Sequence, residues 1–152
     1  MATQETAAPT AQAPAVDRKA YRDFIVGLQL RDISVRRSAT QRLAGIVDLS
    51  RKVDVNINEK ASYTMQDENT CDVVQAYSLQ LNYQGEKTPL LTIECDFDVV
   101  YRVAKPMTDA YFEIFRKTSL PLNTWPFWRE FVHSAFLRMG LPPYMLPVVK
   151  QA

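Results

Sequence analysis

Between residues 88 and 103 the chain reads T-P-L-L-T-I-E-C-D-F-D-V-V-Y-R-V, and its odd positions Leu91, Ile93, Cys95, Phe97, Val99, Tyr101 and Val103 are all apolar. The even positions include Thr92, Glu94, Asp96, Asp98 and Arg102. Successive side chains of a strand point to opposite faces, so this period of two predicts a strand with one covered apolar face and one wet, acidic face. Shorter alternations predict three more strands. Ile33 and Val35 mark one over 29–37, and Val53, Val55 and Ile57 open another that continues through Ala61, Tyr63 and Met65. Val73, Tyr77, Leu79, Leu81 and Tyr83 share one face of a third over 72–84. Q-D-E-N-T at 66–70 and G-E-K at 85–87 are turn chemistry, so the last three strands form an antiparallel meander. Residues 38–52 are too long for a hairpin turn and read as a crossover from the first strand.

Elsewhere the period becomes helical. Tyr21, Phe24, Ile25 and Leu28 fall at i, i+3, i+4 and i+7, which predicts a short helix ending near Gly27. Tyr111, Phe112, Ile114 and Phe115 predict a helix over 108–117, stopped by the S-L-P-L-N loop that contains Pro121. A longer helix follows, capped by Asn123 or Thr124, with Pro126 in its first turn and Gly140 at its end. Trp125, Trp128, Phe131, Val132, Ala135, Phe136 and Met139 give it a broad apolar face, and the closing L-P-P-Y-M-L-P-V-V is extended and proline-fixed. The two C-terminal helices are the natural cover for the apolar face of the sheet, which makes a two-layer α+β domain. Residues 1–16, rich in Ala, Thr, Gln and Pro, have too little apolar surface to order themselves and read as a disordered tail before a single domain at 17–149.

Composition changes this picture mainly by exclusion. With 18 basic and 17 acidic residues there is no global field to attract nucleic acid or an anionic membrane. Two cysteines without CxxC spacing and a single histidine argue against a structural zinc or any other metal, and no apolar run is long enough for membrane insertion. A cytoplasmic protein with reduced thiols is the plainest reading. Glu130 and His133, at i and i+3, could form an acid–base pair, but a lone histidine on a packing helix is ordinarily structural. Glycine-rich phosphate loops, G-x-S-x-G and HExxH are missing, so the pattern points away from an enzyme and from a cofactor.

Two features remain as candidate chemistry. Glu94, Asp96 and Asp98 lie about 7 Å apart on one face, where each adjacent pair costs only ~0.6 kcal/mol in water. They serve either as a solvated face or, with Asp32, as a docking strip for a basic partner. The aromatics Trp125, Phe127, Trp128, Phe131, Phe136 and Tyr144, together with the apolar crossover at 43–49, exceed what one sheet face can hide. Phe127 and Trp128 are adjacent and cannot point at the same layer. The surplus implies a subunit interface or a binding groove.

L-R-D-I-S-V-R, E-C-D-F-D-V-V-Y-R and the C-terminal N-T-W-P-F-W-R-E-F-V-H-S-A-F-L-R-M-G-L-P-P-Y-M-L-P together resemble the first strand, fourth strand and final helix of SecB chaperones, especially the SecB-like proteins of toxin–antitoxin systems. The resemblance spans about residues 29–149. It implies a Greek-key antiparallel sheet with two helices, a homotetramer built as a dimer of dimers, and an ATP-independent holdase that binds unfolded polypeptides without catalytic residues. It also implies client grooves lined by the crossover and the long helix. Leu49 then falls where export chaperones carry a client-contacting tryptophan, and Trp125, Phe127, Trp128 and Phe131 are further groove candidates. Export members dock on the SecA motor through sheet-face carboxylates and a mobile acidic tail. Asp32 and Glu94 match two of those carboxylates and Asp96 lies beside them, but Arg36 replaces a third, and the chain stops at Ala152 without the tail. An antitoxin is therefore as good a partner as SecA. From another class, the alternative is a small-molecule-binding or hydrolytic α+β domain of hot-dog-like form using Glu130 or His133.

Overall fold

In the computed structural model, which describes residues 16–147, four strands form one antiparallel sheet in the order β1-β4-β3-β2. They are β1 (Gln29–Arg42), β2 (Val53–Met65), β3 (Thr70–Tyr83) and β4 (Leu91–Arg102). The tail expected over 1–16 lies, apart from Val16, outside the described residues. β2, β3 and β4 make the expected meander, and β1 returns beside β4 in Greek-key fashion.

The period of two is realised in the central strands. Leu91, Ile93, Cys95, Val99 and Tyr101 of β4 are wholly buried, as are Cys71 and Val73 of β3, and their neighbours on the ladder are half-buried. β1 differs. Of its fourteen residues only Ile33 is even half-buried, and two bulges, between Leu30 and Asp32 and between Val35 and Arg37, shift its register against β4. It also runs five residues past the predicted end at Arg37, which shortens the crossover to 43–52. Ser38–Arg42 is exposed on both faces, so backbone pairing with β4 makes it a strand and no apolar alternation announces it.

The crossover is pinned at one end of the sheet. The amides of Leu43 and Ala44 donate to the carbonyl of Leu90, at 2.8 and 3.1 Å. The amide of Asp48 donates to the Tyr83 hydroxyl at 2.7 Å, and the Arg51 guanidinium lies 3.8 Å over the Tyr83 ring while pairing with Glu86.

Three helices complete the chain: α1 (Arg18–Val26), α2 (Asp109–Phe115) and α3 (Ser119–Arg138). α1 buries Phe24, which stacks on Tyr111 of α2 at 4.9 Å. It ends at Gly27, where a Cβ would come within 2.7 Å of the Ala104 Cβ. α2 is capped by the Thr108 side chain and lays Phe112 on Tyr63 and Phe115 on Tyr101, across the apolar face.

α3 starts four residues before the predicted cap, and the S-L-P-L-N segment is its first turn instead of a loop. Pro121 is compatible with that turn because the missing N–H has no partner there. Pro126 consequently falls in the helix interior, at the cost of one backbone bond. Thr124 caps nothing: it is buried, donates to the carbonyl of Leu120 at 3.0 Å and shares a 2.7 Å bond with the Tyr77 hydroxyl. At the far end Gly140 takes φ +75°, its amide donates to the Leu137 carbonyl and that of Leu141 to the Phe136 carbonyl, both at 3.0 Å. This is a Schellman turn, and it reverses the chain onto α3. The α+β architecture, with both C-terminal helices on one face of a four-stranded antiparallel sheet and a short N-terminal helix, is as the sequence predicts.

Candidate functional site

α3 is a ridge over the middle of the sheet with two unlike flanks, and 100° per residue decides which aromatic takes which. Trp128 is the ridge's root. It is wholly buried, stacked on Tyr77 at 5.2 Å and on Phe131 at 6.3 Å. Its expected place in a client groove is therefore corrected: it belongs to the core, and even its indole Nε1 is shut in without a partner. Trp125 meets the edge of Tyr77 on β3 at 5.7 Å, whereas Phe127 turns toward β4, meets Phe97 at 6.4 Å and remains 48% exposed.

Toward β1 the flank is open. Glu130, Phe131, Ser134, Ala135 and Arg138 face Ser38 and Thr40 across a cavity of about 310 Å³. At its end the Arg42 guanidinium donates to the Met139 carbonyl at 3.1 Å, placing a cation at the negative end of the α3 dipole. His133 does not line this cavity although Glu130 does, so the two are not gathered into one site there.

On the other flank the closing segment returns along α3. Tyr144 stacks on Phe136 at 5.7 Å, and Leu146 is sunk to 2% exposure. The Arg129 Nε–H donates to the Leu146 carbonyl at 2.9 Å and the Trp125 indole N–H to the Pro147 carbonyl at 2.6 Å. The prolines predict this stretch to be extended; nothing in it announces the two side-chain hooks.

Leu49 rides on a separate element, the crossover, where it is 52% exposed beside Leu43 at 47% and Ile46 at 89%. The crossover, Phe127 and the half-buried Phe131 and Trp125 thus leave apolar surface accessible around α3 and the sheet end marked by Tyr83 and Leu90.

The opposite face of the sheet is less acidic than the strip alone suggests. Glu94 pairs with Arg37 at 3.0 Å and Asp98 lies 3.7 Å from Arg36, while Asp96 sits opposite Arg37 in the ladder and Asp32 is exposed on β1. The β1 bulge at Val35/Arg37 brings both arginines to the strip, which is why Arg36 and Arg37 neutralise what the alternation left negative. Asp72 and Asp98 each bury one oxygen with no hydrogen-bond donor. Burial first, then the neighbouring Asp98 carboxylate, raises the Asp72 carboxyl above the usual carboxylate range, against the pull of Arg36.

Little of the titratable chemistry suits catalysis. Cys71 and Cys95 are buried in β3 and β4, and burial pushes each thiol up to about 11, so neither is a ready nucleophile at neutral pH. Burial likewise raises Tyr77 and Tyr101 to about 12; their hydroxyls meet Thr124 and Asn123 and tie α3 to the sheet. Among the described residues no group of three or more His, Cys, Asp or Glu side chains could hold a metal ion, and no helix is long and apolar enough to cross a membrane.

No family model and no curated protein matches the sequence. Among solved structures, the fold matches that of a Mycobacterium tuberculosis SecB-like chaperone in complex with a ChAD peptide from the HigA1 antitoxin, with a TM-score of 0.74 and 17% identity over 84% of this chain and 94% of that one. A protein of unknown function from Streptococcus agalactiae aligns at a TM-score of 0.40 and 7% identity, over 80% of this chain and 97% of that one, too distant to bear on the reading. The chain has a SecB-like fold, and the similarity at this identity is one of fold.

Proposed function

We propose that this chain is an ATP-independent holdase that binds unfolded or antitoxin-like polypeptides along apolar surface flanking α3 and on the crossover. The observation that carries the reading is the accessible apolar set of Leu43, Ile46, Leu49 and Phe127 on a SecB-like fold. Burial of such surface stabilises a complex by ~25 cal/mol per Å² without demanding a particular client sequence, so slow-folding chains are held longest. Leu49, Phe127, Phe131 and the free edge of Trp125 are the client contacts. No nucleotide, metal or cofactor takes part, and the setting is the reducing cytoplasm.

The working form is a homotetramer, a dimer of dimers. β1, an edge strand exposed along nearly its whole length, supports association between copies, because a long open edge otherwise invites unspecific pairing. Asp32, Glu94 and Asp96 are the docking residues for a basic partner. With Arg36 and Arg37 set among them, an antitoxin or a similarly narrow client set fits better than delivery to SecA.

The test is aggregation of several slow-folding denatured proteins with and without stoichiometric protein and no nucleotide. Suppression is expected; failure with every client overturns the holdase reading.

A further inference from the structure

We propose that the flank of α3 covered by residues 141–147 is itself a polypeptide-binding subsite, occupied in the free protein by the chain's own closing strap as a stand-in for a client segment. The inference rests on the holdase reading and names the class of ligand that this part of the surface takes: an extended apolar segment, tolerant of proline, with one large aliphatic side chain.

Three observations carry it. First, the strap is held as a ligand is held. Beyond Leu141 it makes no backbone–backbone hydrogen bond among the described residues. Its polar anchors are two side-chain donors, Trp125 and Arg129, set one helical turn apart and engaging consecutive carbonyls, those of Pro147 and Leu146. Every polypeptide carries such carbonyls, so these donors recognise a backbone and not a sequence.

Second, one strap side chain does the apolar work at the hooks. Leu146 is buried to 2%, whereas its neighbours Met145 and Pro147 face solvent, Met145 at 66%. At the hooks the subsite therefore reads a single aliphatic group and leaves its immediate neighbours unread, with the Tyr144 ring stacked on Phe136 further back along the strap.

Third, both hooks are donors aimed at carbonyls, and Pro147 supplies one of those carbonyls although it has no N–H. A segment rich in proline loses nothing there. Departure of the strap would strip Trp125 and Arg129 of these acceptors and uncover the Leu146 site, and a client segment of the same chemistry restores all three contacts. Binding and strap release are thus one exchange.

The experiment is hydroxyl-radical footprinting of the full chain, alone and saturated with reduced, carboxymethylated α-lactalbumin as the unfolded client. The Leu146 side chain, 2% exposed in the free protein, should be oxidised faster in the complex. In a second arm a synthetic peptide of sequence L-P-P-Y-M-L-P is titrated against Leu146→Ser, whose strap is loosened while the hooks remain; it should bind several-fold tighter than to the unaltered chain. A client that is held while oxidation of Leu146 stays the same or slows overturns the inference and leaves the holdase reading standing. If no client is held, that reading fails, and peptide binding to Leu146→Ser no tighter than to the unaltered chain then overturns the subsite as well. Should Leu146→Ser not fold, the footprinting arm on the unaltered chain decides alone.

Discussion

The two flanks of α3 share one helix and one sheet, yet one is closed by the chain's own strap and the other stands open against β1. The difference lies in side-chain chemistry more than in hydrophobicity. Trp125 and Arg129 carry N–H groups that a passing backbone can satisfy, and the closing segment does so. Phe127, which meets Phe97 of β4, and Phe131, which faces β1, have no polar handle, and β1 is bulged and itself exposed. The strap thus settles where Trp125 and Arg129 offer N–H groups to its backbone, and the flank of Glu130, Phe131, Ser134 and Arg138 stays open toward β1.

The sharpest way to break this comparison is to remove what both flanks stand on. Trp128→Ala empties a wholly buried site above Tyr77 and should cost about 3–5 kcal/mol in a denaturant melt, abolishing any distinction between the flanks. Trp128→Phe should cost much less, since the indole Nε1 makes no hydrogen bond to lose. Phe127→Ala acts on the open side alone. With half its surface already in water it should melt close to the parent while weakening client binding by about 1 kcal/mol, roughly fivefold in Kd, and Leu49→Ala should do the same from the crossover. Isothermal titration beside a melt separates these outcomes, and a large loss of stability in Phe127→Ala would make that flank core. Least of all should follow from Glu94→Lys, on the far face of the sheet. Its exposed pair with Arg37 contributes at most ~1 kcal/mol, and client holding should be unchanged. Loss of holding in that variant would mean that the two faces of the sheet have been assigned the wrong way round.

Much of the sheet was legible because its central strands are covered on one side only: the odd positions of 91–103 announce their burial, and Leu91 to Val103 deliver it. Where no face is covered, the pattern had nothing to encode. Ser38–Arg42 is strand by backbone pairing alone, and its five residues read as loop. Prolines misled for a related reason. Pro121 and Pro126 are each compatible with a first turn, and only packing, with Thr124 sunk against Tyr77, selects the earlier start. In the candidate site, spacing separated Phe127 from Trp128 without saying which was buried, because that depends on Tyr77 beneath. The hooks on the strap were not legible at all: they join residues 17 and 22 positions apart through carbonyls that every residue possesses.

The Schellman turn at Gly140 has a consequence for selectivity. It leaves almost no slack between the end of α3 and the strap, so the strap is a ligand on a very short tether. Short tethers impose effective concentrations of roughly millimolar or above on whatever they carry. A free chain offering only one matching segment competes poorly against such a neighbour, whereas a chain long enough to engage several patches at once gains the avidity to prevail. Gly140, which has no side chain to offer a client, would then set a threshold of multivalency, separating long unfolded chains from the short apolar peptides that also fill a cell.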